Sequence, residues 1–154
     1  MFFIISSITF LVYLFSWFYM EFEERQPIFF FLLTIFAGFM LFLVSAGNFI
    51  MLFIGWEGVG LSSFLLINFW YTRLQANKAA MKAVTINRLG DVFLLIAISL
   101  IYRASGIINF NDCFYFLTTQ INFTHCTVIS DIELICFFLF LAAVGKSAQL
   151  GLHT

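Results

Sequence analysis

Long apolar runs separated by short polar segments dominate this chain. Five of the runs are close to the length of about 20 residues that a helix needs to cross the hydrocarbon core of a bilayer. They cover residues 2–20, 28–46, 49–71, 84–102 and 132–150. Apolar and polar residues do not alternate within them, so strands of a membrane barrel are not indicated. The pattern predicts an all-α membrane fold of about five helices, in a single membrane domain over residues 1–154.

The segments between the runs predict how the helices are arranged. Residues 103–131 are too polar for lipid and are predicted to form a loop outside the membrane, with room for a short interfacial helix. The short connections make successive helices antiparallel, so that segments 21–27 and 72–83 lie on the same side. This side carries most of the positive charge outside the spans. The positive-inside rule therefore assigns it to the cytoplasm or the mitochondrial matrix, with the N-terminus on the outer side.

Composition supports the membrane prediction and excludes several function classes. Hydrophobic residues make up 63% of the chain and charged residues only 10%, far from the balance of a soluble domain. The net charge of -1 leaves no basic face for a nucleic-acid partner. The three cysteines have no CxxC spacing, and there is no nucleotide-binding loop. We therefore expect no metal, no cofactor and no redox chemistry in this chain.

Four ionisable residues stand in the interior of the predicted spans, where a charge costs roughly 2.5–3.5 kcal/mol on insertion scales. They are Glu57, Arg88, Asp91 and Lys146. At 1.5 Å per residue, Glu57 lies ~12 Å and Lys146 ~21 Å from the outer side, and Asp91 lies ~11 Å from the inner side. Three helices thus bring ionisable groups to the middle band of the bilayer.

Function and structure compete as explanations for these four residues. Arg88 and Asp91 are three positions apart on one helix, so they can pair, either as part of a relay or as a structural ion pair. For these two residues, we give neither explanation preference. Glu57 and Lys146 each stand alone in the interior of their helices, which favours a role in binding and releasing protons. Arginine stays charged in proteins, so Arg88 is better suited to be a fixed charge than a carrier.

Small residues surround both lone groups. Gly55, Gly58 and Gly60 flank Glu57, while Gly145 and Ser147 flank Lys146. Small residues let helices approach closely and let water reach the backbone. We expect these five positions to serve helix packing or hydration near the charges. Gly145 and Gly151 also favour an interruption of the last helix.

Two stretches carry a resemblance to a known family. GWEGVGLSSFLLINFWYTRLQANKAAMKAVTINRLGD (Gly55–Asp91) and AAVGKSAQLGLHT (Ala142–Thr154) closely resemble the subunit 5 family of NADH:ubiquinone oxidoreductase, respiratory complex I. This family shares its core with large subunits of sodium/proton antiporters. The resemblance extends less sharply through the two preceding helices. It implies an antiporter-like helix bundle, of which this chain supplies roughly the third to seventh helices.

The family assigns roles to the residues that match it. Glu57 matches a glutamate and Lys146 a lysine on an interrupted helix, and the resemblance implies that they form a charge pair at the start of a proton half-channel. Arg88 and Asp91 match polar residues of the same network. NADH, FMN, iron–sulfur clusters and ubiquinone are expected to bind elsewhere in the complex. The implied function is part of a proton path coupled to NADH:ubiquinone oxidoreduction.

The family's subunits are considerably longer than this chain, so we expect either a split subunit or a truncated one. The implied partners are the remaining fragments of the same subunit, other complex I subunits, including antiporter-like ones, and lipids such as cardiolipin. The implied location is the mitochondrial inner membrane, with the N-terminus on the intermembrane-space side. Two alternatives stay open: a structural membrane piece without a pumping role, and a subunit of a sodium/proton antiporter.

Overall fold

A computed structural model describes the backbone of residues 1–123 and 126–149, and their side chains except at 117, 119–123 and 126–131. Within these residues the chain is helical, with no strand beyond one isolated bridge. The helices are α1 (Phe2–Tyr19), α2 (Gln26–Val44), α3 (Phe49–Ile67), α4 (Leu74–Ser105), α5 (Phe110–Phe123) and α6 (Cys126–Lys146), and a short 3₁₀ turn (Asn68–Trp70) follows α3.

In the described part of the chain, four helices are long and apolar enough to cross a membrane: α1, α2, α3 with its 3₁₀ turn, and α4. The predicted all-α membrane fold is therefore confirmed. The fifth predicted span, 132–150, corresponds to the greater part of α6, and residue 150 lies outside the described residues. The chain is a multi-pass membrane protein.

Helix α4 begins ten residues before the predicted start at 84. The residues from Leu74 to Lys82 are polar but include alanine, leucine, lysine, glutamine and methionine, which are strong helix formers, and no glycine or proline. The helix therefore continues beyond the apolar span. Its 32 residues correspond to about 48 Å at 1.5 Å per residue, more than the ~30 Å hydrocarbon core.

The predicted loop over 103–131, which had room for a short interfacial helix, is more helical than expected and contains α5 (Phe110–Phe123). Helix α4 ends at Ser105 and is followed by Gly106, which has a left-handed φ of 68°. Helix α5 then begins at Phe110, whose ring packs edge-to-face on Phe49 with centroids 4.6 Å apart. Cys113, one turn further along, is fully buried. This spacing of apolar residues gives α5 one face against the bundle, which the overall polarity of the segment concealed.

The connections pair at the two ends of the bundle. At one end, Arg25 donates a 2.6 Å hydrogen bond to the Tyr71 hydroxyl, which joins the α1–α2 and α3–α4 connections. At the other end, Phe49 N–H donates to Ile108 O and Phe110 N–H to Gly47 O, which joins the α2–α3 and α4–α5 connections. Successive helices are therefore antiparallel, and segments 21–27 and 72–73 lie at one end.

Two close helix pairs position the centre of the bundle, α2 with α3 and α4 with α6. Glycine makes the first approach possible. A Cβ at Gly55 would lie 2.8 Å from Leu43 Cα, and a Cβ at Gly58 only 2.3 Å from Phe39 Cδ1. Helix α3 also packs on α4, so α3 connects the two pairs.

Gly55→Ala should separate α2 from α3, because the added Cβ meets backbone atoms that cannot rotate away. Overpacking of this kind costs about 1–3 kcal/mol of folding stability. Gly38→Ala is the matched control, since a Cβ there meets nothing within 4 Å in this chain. The check is the midpoint of thermal unfolding of the detergent-solubilised protein; equal midpoints for the two variants would contradict the packing described here.

Candidate functional site

The four ionisable residues singled out from the sequence lie close together where α3, α4 and α6 meet. Glu57 is on α3, Arg88 and Asp91 are on α4, and Lys146 is the last residue of α6. Hydrogen bonds join Asp91 and Lys146 through one further residue, Trp56, and an ion pair joins Arg88 to Glu57, the next residue on α3. The sequence identified the charged members of this cluster but did not identify Trp56.

Arg88 pairs with Glu57 and not, as its spacing suggested, with Asp91. Its Nη1 lies 3.0 Å from Glu57 Oε1 and 2.9 Å from Oε2. The Arg88 side chain stays 61% exposed and that of Glu57 26% exposed in the chain. Arg88 thus keeps its guanidinium at the edge of the bundle, whereas Asp91, one turn away, is only 6% exposed. Helical spacing put both residues on one side of α4, but α3 supplied the partner of each.

Asp91 is a buried carboxylate that accepts its hydrogen bond from Trp56. The indole Nε1 of Trp56 lies 2.9 Å from Asp91 Oδ1. An indole N–H only donates and carries no charge. The bond therefore satisfies one oxygen of the carboxylate without neutralising it. The signal for Trp56 in the sequence was a hydrogen-bond donor next to Glu57 within an apolar span.

Lys146 is also held by Trp56. Its Nζ donates a 2.8 Å hydrogen bond to the Trp56 carbonyl and lies 4.8 Å from the centroid of the indole ring. A carbonyl has two lone pairs, so this one can accept the amine in addition to its bond within α3. Among the side chains described, Arg88–Glu57 is the one ion pair within 4 Å. The direct Glu57–Lys146 pair that the resemblance implied is therefore not formed in this conformation.

The glycines near the charges have different neighbours. Gly55 and Gly58 face α2, as described above, and Gly60 faces Lys146, whose Nζ would be 3.4 Å from an added Cβ. On α4, a Cβ at Gly90 would lie 3.4 Å from Ala142 O and 3.6 Å from Gly145 Cα. Gly90 and Gly145 thus bring α4 and α6 together beside the amine. The sequence did not identify Gly90, which stands in an otherwise regular helix.

Helix α6 ends at Lys146, beside Trp56 and Gly60 near the middle of α3. Ala148 has a left-handed φ of 49°, which continues no helix. The Ser147 hydroxyl donates back to the Ala143 carbonyl and not toward the amine. Gly151, the second glycine expected to interrupt the helix, lies outside the described residues. Helix α6 thus ends at this level within the described residues, and the interruption expected from Gly145 and Gly151 stays a prediction.

A cavity of about 220 Å³ adjoins the charges between α3 and α4. Its polar lining comes from Glu57, Asn87, Arg88 and Asp91. Its remaining lining residues are Gly60, Leu61, Phe64, Met81 and Val84. These lie on the halves of α3 and α4 nearest the connection between those helices, so the cavity extends from the charges toward that end. The cavity is polar at the end next to the charges. It has room for several water molecules, each of which needs ~10–15 Å³ of such volume.

Comparison with known proteins places this chain in a family. Residues 46–154 match the family described as NADH:quinone oxidoreductase/Mrp antiporter, membrane part. The chain is 47% identical over 151 residues to a protein of Metridium senile named NADH-ubiquinone oxidoreductase chain 5. It is 46% identical over 153 residues to the protein of the same name from Arabidopsis thaliana. Each alignment covers 98% of this chain but 24% and 23% of the relative, so the chain spans about a quarter of their length.

Gly60→Ala should move the Lys146 amine, because the new methyl group would contact Nζ at 3.4 Å, at the edge of the cavity. The expected result is a displacement of the amine from the Trp56 carbonyl by a few tenths of an ångström, with little change in folding stability. Gly38→Ala serves again as the control. A high-resolution structure of each variant in its assembled membrane complex measures the distance from Nζ to the Trp56 carbonyl; an unchanged distance in Gly60→Ala would contradict the assigned contact.

Proposed function

Since this chain belongs to the NADH:quinone oxidoreductase/Mrp antiporter membrane family, we propose that it forms part of a proton half-channel in the distal proton-pumping subunit of respiratory complex I. The supporting observation is the meeting of Glu57, Asp91 and Lys146 from three helices beside a partly polar cavity. Charges inside a membrane bundle are costly and characteristically mark ion and proton pathways.

The charge balance of the cluster explains how it would handle a proton. With all four groups ionised, two carboxylates face two cations, and the cluster is neutral. Release of a proton from Lys146 would leave one uncompensated negative charge in a medium of low dielectric constant. Arrival of a proton at Glu57 through the cavity would restore neutrality. Proton uptake at one end of the cluster and release at the other are therefore coupled electrostatically.

Each residue has a distinct part in this proposal. Lys146 carries the proton, and Glu57, at the wall of the cavity, receives one from water. Arg88 is a fixed positive charge that favours the ionised form of Glu57, since a guanidinium does not release its own proton. Asp91 is the buried counter-charge of the amine. Gly55 and Gly58 set the position of α3, whereas Gly60 and Gly145 leave room beside Lys146.

The proposal extends to the setting of the chain. Relatives named as chain 5 of NADH-ubiquinone oxidoreductase support a place in the mitochondrial inner membrane, among other complex I subunits, antiporter-like ones included. NADH, FMN, iron–sulfur clusters and ubiquinone would bind to those other subunits. We propose the intermembrane space for the N-terminus, because Arg25, Arg73, Lys78 and Lys82 lie toward the opposite end. Anionic lipids such as cardiolipin would meet this basic end.

Lys146→Ala should abolish or strongly reduce proton pumping coupled to NADH oxidation, while the complex still assembles. The reason is that alanine cannot carry the proton, whereas the helix itself tolerates it. Lys78→Ala is the matched control, because Lys78 is exposed on the polar extension of α4. Proton uptake and NADH oxidation are measured together in membrane vesicles that contain the assembled complex.

The two alternatives give other results in the same assay. A purely structural role predicts normal pumping with Lys146→Ala and with the isosteric Glu57→Gln. A sodium/proton antiporter predicts transport that depends on sodium and continues without NADH. Either outcome would overturn the proposal.

A further inference from the structure

Trp56 makes three separate contacts within the charge cluster. Its indole N–H donates to Asp91, its carbonyl accepts from Lys146, and its ring lies under the Lys146 amine. No other described residue contacts both of these charged groups by hydrogen bonds. Because Asp91 is on α4 and Lys146 is at the end of α6, Trp56 connects the three helices at the level of the charges.

We propose that Trp56 is a positioning residue that fixes the Lys146 amine beside Asp91 and keeps it apart from Glu57. This inference rests on the proposed function and names a further residue that it requires. In the present conformation the two cations divide the cluster into two parts, Arg88 with Glu57 and Lys146 with Trp56 and Asp91, and the Glu57 and Asp91 carboxylates interact across them. Trp56 holds the second part together.

Helix geometry explains why Trp56 can separate the two parts. Consecutive residues on an α-helix point about 100° apart, so the Trp56 and Glu57 side chains leave α3 in different directions. Glu57 turns toward Arg88 and the cavity, and Trp56 turns toward Asp91 and α6. Gly60 follows Trp56 by four residues and Glu57 by three, so it lies under both. The space left by its missing side chain joins the Lys146 amine to the cavity that Glu57 lines.

The contacts of Trp56 are suited to holding the Lys146 amine in place, and Trp56 itself transfers no proton. The indole N–H does not ionise under physiological conditions, and the peptide carbonyl does not take up a proton. The ring adds attraction for an ammonium group over its face, and this attraction exists only while the amine is charged. Trp56 therefore binds the protonated amine more tightly than the neutral one, so loss of the proton weakens the attachment of Lys146 beside Asp91.

Trp56→Phe and Trp56→Leu test this role in steps. Phenylalanine keeps a ring and the carbonyl but removes the bond to Asp91, whereas leucine removes the ring as well. The readout is the number of protons moved per electron by the assembled complex, together with the KM values for NADH and ubiquinone. We expect the reduction of this ratio in Trp56→Phe to be at least half the reduction in Lys146→Ala. In Trp56→Leu the reduction should be larger, and both KM values should be unchanged.

A proton-to-electron ratio distinguishes positioning from structural support. Poor assembly lowers the amount of complex but not the ratio in the complexes that form. Trp17→Phe is the matched control, because Trp17 is 64% exposed on α1 and lies outside the cluster. Its ratio should equal that of the unaltered protein.

The results distinguish a failure of the role of Trp56 from a failure of the proposed function. A normal ratio in Lys146→Ala would remove the proposed function itself. A lowered ratio in Lys146→Ala with normal ratios in both Trp56 variants would overturn the role of Trp56 alone. If neither Trp56 variant assembles, Gly60→Ala decides, because it leaves Trp56 intact and displaces the same amine; a normal ratio there would also overturn the inference.

Discussion

The hydrogen bond between the Lys146 amine and the Trp56 carbonyl is the interaction on which the centre of this protein depends. An ammonium group at this depth is costly unless it has partners, and this bond supplies one from the backbone of α3. It also fixes where α6 ends relative to α3 and α4. The close approach of Gly90 to Gly145 and the bond from Trp56 to Asp91 occur around the same point.

Close helix packing is what makes these polar contacts possible. Many large apolar side chains are exposed on the outside of the bundle, as expected of a protein whose solvent is lipid. Glycines at the α2–α3 and α4–α6 contacts bring backbones near one another, so that short polar contacts form across helices. In a lipid-exposed bundle, such packing replaces the hydrophobic driving force that joins helices in water.

The sequence was sufficient for the class of fold and for the common level of the charges in the bundle. Both follow from properties of one helix at a time, namely the length of an apolar run and the rise per residue. The partner of Arg88 was wrongly predicted, because spacing along α4 does not reveal that α3 brings Glu57 within 3 Å. Trp56, Asn87 and Gly90 were missed for the same reason. Only a short interfacial helix was expected where α5 lies, because its few bundle-facing residues, Cys113 among them, are diluted by polar ones.

The position of the α6 C-terminus at Lys146 affects the electrostatics of the charge cluster. The peptide dipoles of a helix sum to about half a negative charge at its C-terminus, and α6 directs this end at the level of the cluster. Unlike a carboxylate, this counter-charge cannot be protonated away. The partial negative charge at the end of α6 therefore stabilises the Lys146 ammonium group in every protonation state of its neighbours. This charge stays constant while the charges of the neighbouring groups change.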